Sequence, residues 1–256
     1  MTGYLGKMTM VFLPVIVAIT AAGNASAGPH EFQSGAQQVT FLELYTSEGC
    51  SSCPAAEAWL SRMKDSPELW KSVVPVAFHV DYWDNLGWKD SLASRAFTDR
   101  QRAYATLWNS SVVYTPAFVR NGREWRQWGG NDAPSDHPPG KPGVLDAASV
   151  DGREWKITFN PGEGLNGDFE VHVALLASGM RSNVRGGENG GKQLVHDFAA
   201  LAVMDGQMQK HDNKRLALIK FSDDQFKTSG KLAVAVWVTQ AGEIVPVQAT
   251  GGWLSE

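Results

Sequence analysis

Cysteine is the scarcest informative residue: the 256-residue chain has two, Cys50 and Cys53. A framework of several structural disulfides is therefore excluded, and the fold must rest on core packing. Long apolar runs are also missing. The run from Met8 to Ala22 is short of the roughly 20 residues a membrane-spanning helix needs. Basic charge is not in excess, with 23 Lys and Arg against 27 Asp and Glu, so neither nucleic acid nor an anionic membrane is an expected partner. The glycine-rich stretch Gly186 to Gly191 lacks the strand and helix that flank a phosphate loop. No nucleotide, flavin or other cofactor is expected.

With 43% apolar and 20% charged residues, the composition is that of a soluble globular protein, long enough for two domains of ordinary size. Residues 1–27 read as a secretory signal: Lys7 is the only charge, the apolar run follows, and Ala25-Ser26-Ala27 has the small-x-small pattern of a cleavage site. Cleavage leaves 22 basic and 27 acidic residues, a formal charge of −5, in an exported chain, periplasmic or secreted, that makes no membrane contact. Residues 28–38 are polar and are expected to form a disordered lead.

The most informative stretch is Phe41 to Leu60. Val39 to Tyr45 suits a buried strand, Thr46-Ser47-Glu48-Gly49 supplies turn chemistry, and Pro54 sits where a helix would begin. Both cysteines then lie at a helix N-terminus, where unpaired N–H groups and the helix dipole stabilise a thiolate. A strand, a turn, C-x-x-C and a helix make a thioredoxin-type redox motif. The competing reading is an inert bridge. A disulfide closing so short a loop removes little chain entropy, which favours chemistry over stabilisation.

Farther along, Val73 to Val80 reads as a second strand, parallel to the first through a helical crossover. The loop Asp81 to Asp90 follows its carboxyl end. Tyr82, Trp83 and Trp88 there are open between walling a substrate groove and plugging the core, and Asp81, Asp84 and Asp90 lack an ordered metal-loop pattern. Ser94 to Trp108 has helical periodicity. Asn121-Gly122 predicts a hairpin after Val112 to Val119, and Pro116 stands at that strand's start. Gly129 to Gly143 reads as a flexible linker. Beyond it come strand patterns at Arg153 to Phe159, Phe169 to Ser178, Gln193 to Met204, Leu216 to Phe221 and Lys231 to Thr239, with Glu243 to Thr250 as a hairpin partner, which argue for a β-sandwich. The expected layout is a 39–128 α/β domain, a 129–147 linker and a 148–256 β-sandwich-like domain.

The segments GCSSCP, HVDYWDNLGW, Thr98 to Tyr104 and YTPAFVRNG resemble the secreted thioredoxin-like family catalogued as domain of unknown function 1223, closely over Val39 to Gly129 and loosely beyond. That resemblance implies an α/β thioredoxin-like fold and export, but no substrate. The wider thioredoxin resemblance implies that Cys50 is the exposed attacking thiol, Cys53 the buried resolving thiol and Pro116 a cis-proline facing the pair. Thr115 would offer backbone groups to an extended substrate. Two features depart from that pattern: Ser51-Ser52 between the cysteines, and a linker where a last helix would stand.

The leading expectation is thiol–disulfide exchange with a protein or small-thiol disulfide substrate and a separate redox partner. Two alternatives are a copper or zinc binding or delivery protein using the thiolates with His79, or with Met204, Met208 and His211, and a partner-binding module with a locked bridge. Glu43 lies on the wrong strand parity to serve Cys53 and is expected to be solvated or hydrogen-bonded. His79 reads as a satisfied core histidine. His172, His196, Asp197 and His211 read as surface polar residues.

Overall fold

The structure is a computed structural model that describes residues 30–130 and 140–254. The expected secretory signal and the middle of the expected linker lie outside the described residues. In chain order the first half holds β1 (His30–Gln33), β2 (Thr40–Thr46), α1 (Cys53–Ser61), β3 (Val73–His79), α2 (Arg95–Leu107), β4 (Ala117–Arg120) and β5 (Arg123–Glu124). The second half opens with β6 (Gly143–Ser149), β7 (Glu154–Pro161), β8 (Phe169–Ser178), β9 (Met180–Asn183) and β10 (Gln193–His196). It closes with β11 (Ala199–Gln207), β12 (Gln209–His211), β13 (Lys214–Lys220), β14 (Lys231–Gln240) and β15 (Gln248–Trp253).

Eight of these strands form one mixed sheet in the order β15-β14-β8-β11-β3-β2-β4-β5. The parallel β2–β3 pair and the antiparallel hairpin at Asn121-Gly122 occur as expected. They do not close off a unit of their own. β3 accepts β11 as its other neighbour, with Ala199 opposite Ala77 and Ala77 N–H donating to the Phe198 carbonyl at 2.8 Å. Because Phe198, Ala199 and Ala200 are buried, that junction is sealed by packing as well as hydrogen bonding.

The expected α/β thioredoxin-like domain followed by a separate β-sandwich is therefore not what the chain forms. Among the described residues strand accounts for 44% and helix for 17%, which makes the protein mostly β. The physical reason lies in β8 and β14, which are buried on both faces. Along β8, Val171, Val173 and Leu175 enter one core while Ala174 and Leu176 enter the other. Along β14, Val234, Val236 and Val238 face one core while Ala233, Ala235 and Trp237 face the other. Strands with two apolar faces need cover on both sides.

One cover is α1 with α2, which contribute Ala56, Trp59, Leu60, Phe97 and Tyr104 to the first core. The other is a five-stranded sheet, β1-β6-β7-β13-β12, whose Trp155, Ile157, Phe159 and Ile219 fill the second core. β1, from the segment expected to be a disordered lead, pairs antiparallel with β6 from the C-terminal half. Phe32 on β1 stacks on Trp155 with ring centroids 5.6 Å apart, and its ring lies where a β-carbon at Gly252 would stand. That close approach is why glycine occupies 252. Among the described residues no helix is long and apolar enough to cross a membrane.

Candidate functional site

The side chains of Cys50 and Cys53 are joined in a disulfide with their Cα atoms 5.4 Å apart. Cys53 is the first residue of α1, Pro54 occupies the first turn as its missing N–H allows, and the Cys53 N–H donates to the Cys50 carbonyl at 3.2 Å. Cys50 is 1% exposed and Cys53 is fully buried. The exposed thiol expected at Cys50 is therefore covered in the oxidised form.

The turn joining β9 to β10 is strapped to the backbone of this segment. Asn189, itself fully buried, donates from Nδ2 to the Glu48 carbonyl at 2.9 Å and the Cys50 carbonyl at 2.8 Å. Glu188 accepts from the Ser51 N–H at 2.9 Å. Replacing Asn189 by alanine leaves two buried carbonyls without that donor, at a cost of about 1–3 kcal/mol, and loosens the strap. We expect Asn189→Ala to speed reduction of the disulfide by dithiothreitol several-fold. A rate equal to that of the wild type would show that the turn is not the barrier.

Thr115 and Pro116, joined by a cis peptide bond, line a groove of about 440 Å³ together with Ser52 of the C-x-x-C turn. Its aromatic walls are Tyr114, Phe118, Trp125 and Trp128. Tyr82, Trp83 and Trp88 stand elsewhere. Tyr82 and Trp83 are half-buried against the first core, and burial pushes the Tyr82 phenol up to about 12. Trp83 Nε1 donates to Thr115 Oγ1 at 2.8 Å, which supports the groove from behind. Trp88 Nε1 donates to Glu48 Oε2 at 2.5 Å. The carboxylates of the same loop are engaged too: Asp81 accepts from Thr98, and Asp84 accepts from the Asp90 N–H.

Beside the C-x-x-C turn lies a buried cluster of Glu48, Glu57, His79, Asp90 and His196. Glu48 precedes Cys50 by two residues, and Glu57 lies one helical turn beyond Cys53. An ionised carboxylate can only accept, so His79 Nδ1 donates to Asp90 Oδ2 at 2.7 Å and His196 Nδ1 donates to Glu57 Oε2 at 2.6 Å. Glu57 Oε1 accepts from Thr46 at 2.6 Å. His196 Nε2 lies 3.2 Å from Glu48 Oε1 but out of line for a hydrogen bond, so that contact is chiefly one of charge. Burial lowers the His196 imidazole, and its contacts with Glu48 and Glu57 outweigh that, lifting it to about 10. Burial likewise opposes ionisation of Asp90, yet the charge and hydrogen bond of His79 hold it near 2.

The earlier expectation for His196 and Asp197 thus needs correction. His196 is fully buried, and Asp197 is 4% exposed and paired with Lys64 at 2.7 Å. The partners of His196 lie 139 and 148 positions earlier in the chain, and no local pattern announces them. His79 is a core histidine with only one nitrogen satisfied. Met208 is buried in the second core and His211 is exposed beside Asp212, so these two do not join a metal-binding group. Glu43 is buried and hydrogen-bonded, accepting from Tyr45 at 2.9 Å, Tyr104 at 2.6 Å and Arg100 at 2.7 Å.

Fold and site together define a mostly β protein with a strapped C-x-x-C disulfide at a helix N-terminus, a groove beside it and a buried histidine–carboxylate cluster. The chain belongs to the family described as protein of unknown function (DUF1223), whose pattern matches residues 41–239. It is similar to protein AGR_C_4864 from Agrobacterium tumefaciens, with 26% identity and a TM-score of 0.57 over 85% of this chain and 95% of that one. It also resembles HBP35 of Porphyromonas gingivalis, with 13% identity and a TM-score of 0.59 over 85% of this chain and 76% of that one, a likeness of fold alone. No functionally curated protein matches the chain.

Proposed function

We propose that the protein is an exported thiol–disulfide oxidoreductase acting on a protein or small-thiol disulfide, with a separate redox partner closing the cycle. The observation that carries the reading is the groove in which Ser52, between the two cysteines, faces Thr115 and Pro116. A substrate lying against Thr115 and Pro116 reaches the disulfide once the Asn189 strap is displaced. With both cysteines reduced, the Cys50 thiolate attacks one sulfur of the substrate disulfide. A Cys50–substrate disulfide forms and the other substrate sulfur leaves as a thiolate. The Cys53 thiolate then attacks Cys50 Sγ, restoring the Cys50–Cys53 disulfide and releasing the second substrate thiol. The two electrons gained by the substrate come from the cysteine pair, and the redox partner replaces them.

Export rests on the apolar run and the small-x-small site of residues 1–27, and it suits an oxidised pair. The test is turnover of a small aromatic disulfide with dithiothreitol as electron donor. Product thiol should appear faster than in an enzyme-free control and in proportion to protein concentration. A rate equal to the control would remove the proposal.

A further inference from the structure

We propose that Glu57, His79 and His196 form a binding site for a divalent transition cation of the zinc class, beside the disulfide and independent of its sulfurs. One ligand atom from each of the three residues lies within 4.8 Å of the other two, and all three residues are buried. Two imidazoles and a carboxylate are a zinc donor set that leaves a fourth, open position. Zinc bonds of about 2.0–2.2 Å place tetrahedral ligands about 3.3 Å apart, so the side chains close by roughly an ångström on binding.

The second observation is an orphan. His79 Nε2 is completely buried and has no hydrogen-bond partner, an arrangement that costs free energy unless something occupies its lone pair. Its other nitrogen is fixed on Asp90, the carboxylate–histidine pairing that orients metal-ligating imidazoles and fixes their tautomer. His196 has a charged neighbour at its outer nitrogen rather than a hydrogen-bonded one. If Nδ1 takes the cation, Nε2 remains against Glu48, which Trp88 holds from the far side. The Glu57 carboxylate is steadied by Thr46 through the oxygen not needed as a ligand. His79 and Glu57 thus each have a hydrogen-bonded outer partner, and His196 has the Glu48 carboxylate beside its outer nitrogen.

Charge argues the same way. Glu48, Glu57 and Asp90 are three buried carboxylates whose counter-charges come from His79 and His196, with ring centroids only 5.0 Å apart. Two imidazolium ions at that distance repel each other. A divalent cation between neutral imidazoles supplies the same compensation from one centre and gives His79 Nε2 its partner. Of the three ligands, Glu57 also lines a groove of about 360 Å³ between α1 and β10, which Asp197 lines as well.

The test uses the full chain with the Cys50–Cys53 disulfide intact, so that no thiolate can bind metal. Protein stripped with a chelator and dialysed against zinc chloride should retain one equivalent of zinc. His79→Gln and His196→Gln should each raise the zinc Kd by at least about 100-fold, and Asp90→Asn, which removes only an outer partner, by about 10–100-fold. Where a variant fails to fold, cobalt(II) on the wild-type protein decides: intense visible bands of a four-coordinate ion with nitrogen and oxygen donors are expected. Absence of retained zinc, a pale six-coordinate cobalt spectrum, or wild-type affinity in both histidine variants would overturn the proposal. The Cys50→Ser/Cys53→Ser double variant should bind zinc as the wild type does, which separates this site from the redox proposal.

Discussion

Glu43→Gln lowers the unfolding free energy by about 3–5 kcal/mol, the cost of leaving a largely buried guanidinium without its carboxylate. The side chain of Glu43 is fully buried and that of Arg100 is 14% exposed, with 2.7 Å between Nε and Oε2. Arg100 lies over the ring of Trp237 at 5.1 Å and over Tyr104 at 5.4 Å, and Tyr104 donates to the same carboxylate. The network therefore ties β2 and α2 to β14. Urea denaturation measures the effect as a shift in midpoint at constant slope. The double variant Glu43→Leu/Arg100→Met should recover much of the loss, because removing both charges leaves none stranded. A loss below about 1 kcal/mol in Glu43→Gln would mean that the pair is no more strongly coupled than an exposed one.

The second large effect is on chemistry. On the proposed chemistry Cys50→Ser should abolish disulfide turnover, because no attacking thiolate is left. Cys53→Ser permits the attack but not its resolution, so Cys50–substrate mixed disulfides accumulate and appear as a mass increase that dithiothreitol reverses. Wild-type turnover in either variant would contradict the proposed order of attack.

Much of the local structure was legible in the residues. Phe169 to Ser178 was expected as a strand with the bounds observed, and the apolar runs beginning at Val39 and Val73 gave the parallel pair. Asn121-Gly122 marked its hairpin through turn chemistry. The assembly of these pieces was not legible. Gly129 to Gly143 looked like a boundary, yet the register of β3 against β11 is decided by one buried junction that no local pattern encodes. In β8 and β14 the small Ala174, Ala233 and Ala235 hid a second buried face, because alanine gives a weak periodic signal. The run from Gln193 to Met204 reads as one strand but breaks at Phe198, whose φ is 56°. That break separates His196 in β10 from the main sheet and places it beside Glu48 and Glu57.

The same contrast holds at the site. The cysteines and Thr115-Pro116 stood out because C-x-x-C and a proline at a strand start are local signals. Trp125 and Trp128, which wall the groove in place of Tyr82, Trp83 and Trp88, lie in Arg123 to Trp128, a segment that reads as the hairpin's return strand but of which only Arg123–Glu124 pairs. Asn189 was hidden in a glycine-rich turn whose partners are 139 and 141 positions away.

The most direct measurement is the equilibrium of the Cys50–Cys53 pair against a glutathione redox buffer, with the free thiols scored by alkylation. An exchange-active pair should titrate between about −120 and −270 mV, the range spanned by disulfide oxidants and reductants. A potential below about −300 mV, with no thiol alkylated near neutral pH, would mark the bridge as structural and contradict the account.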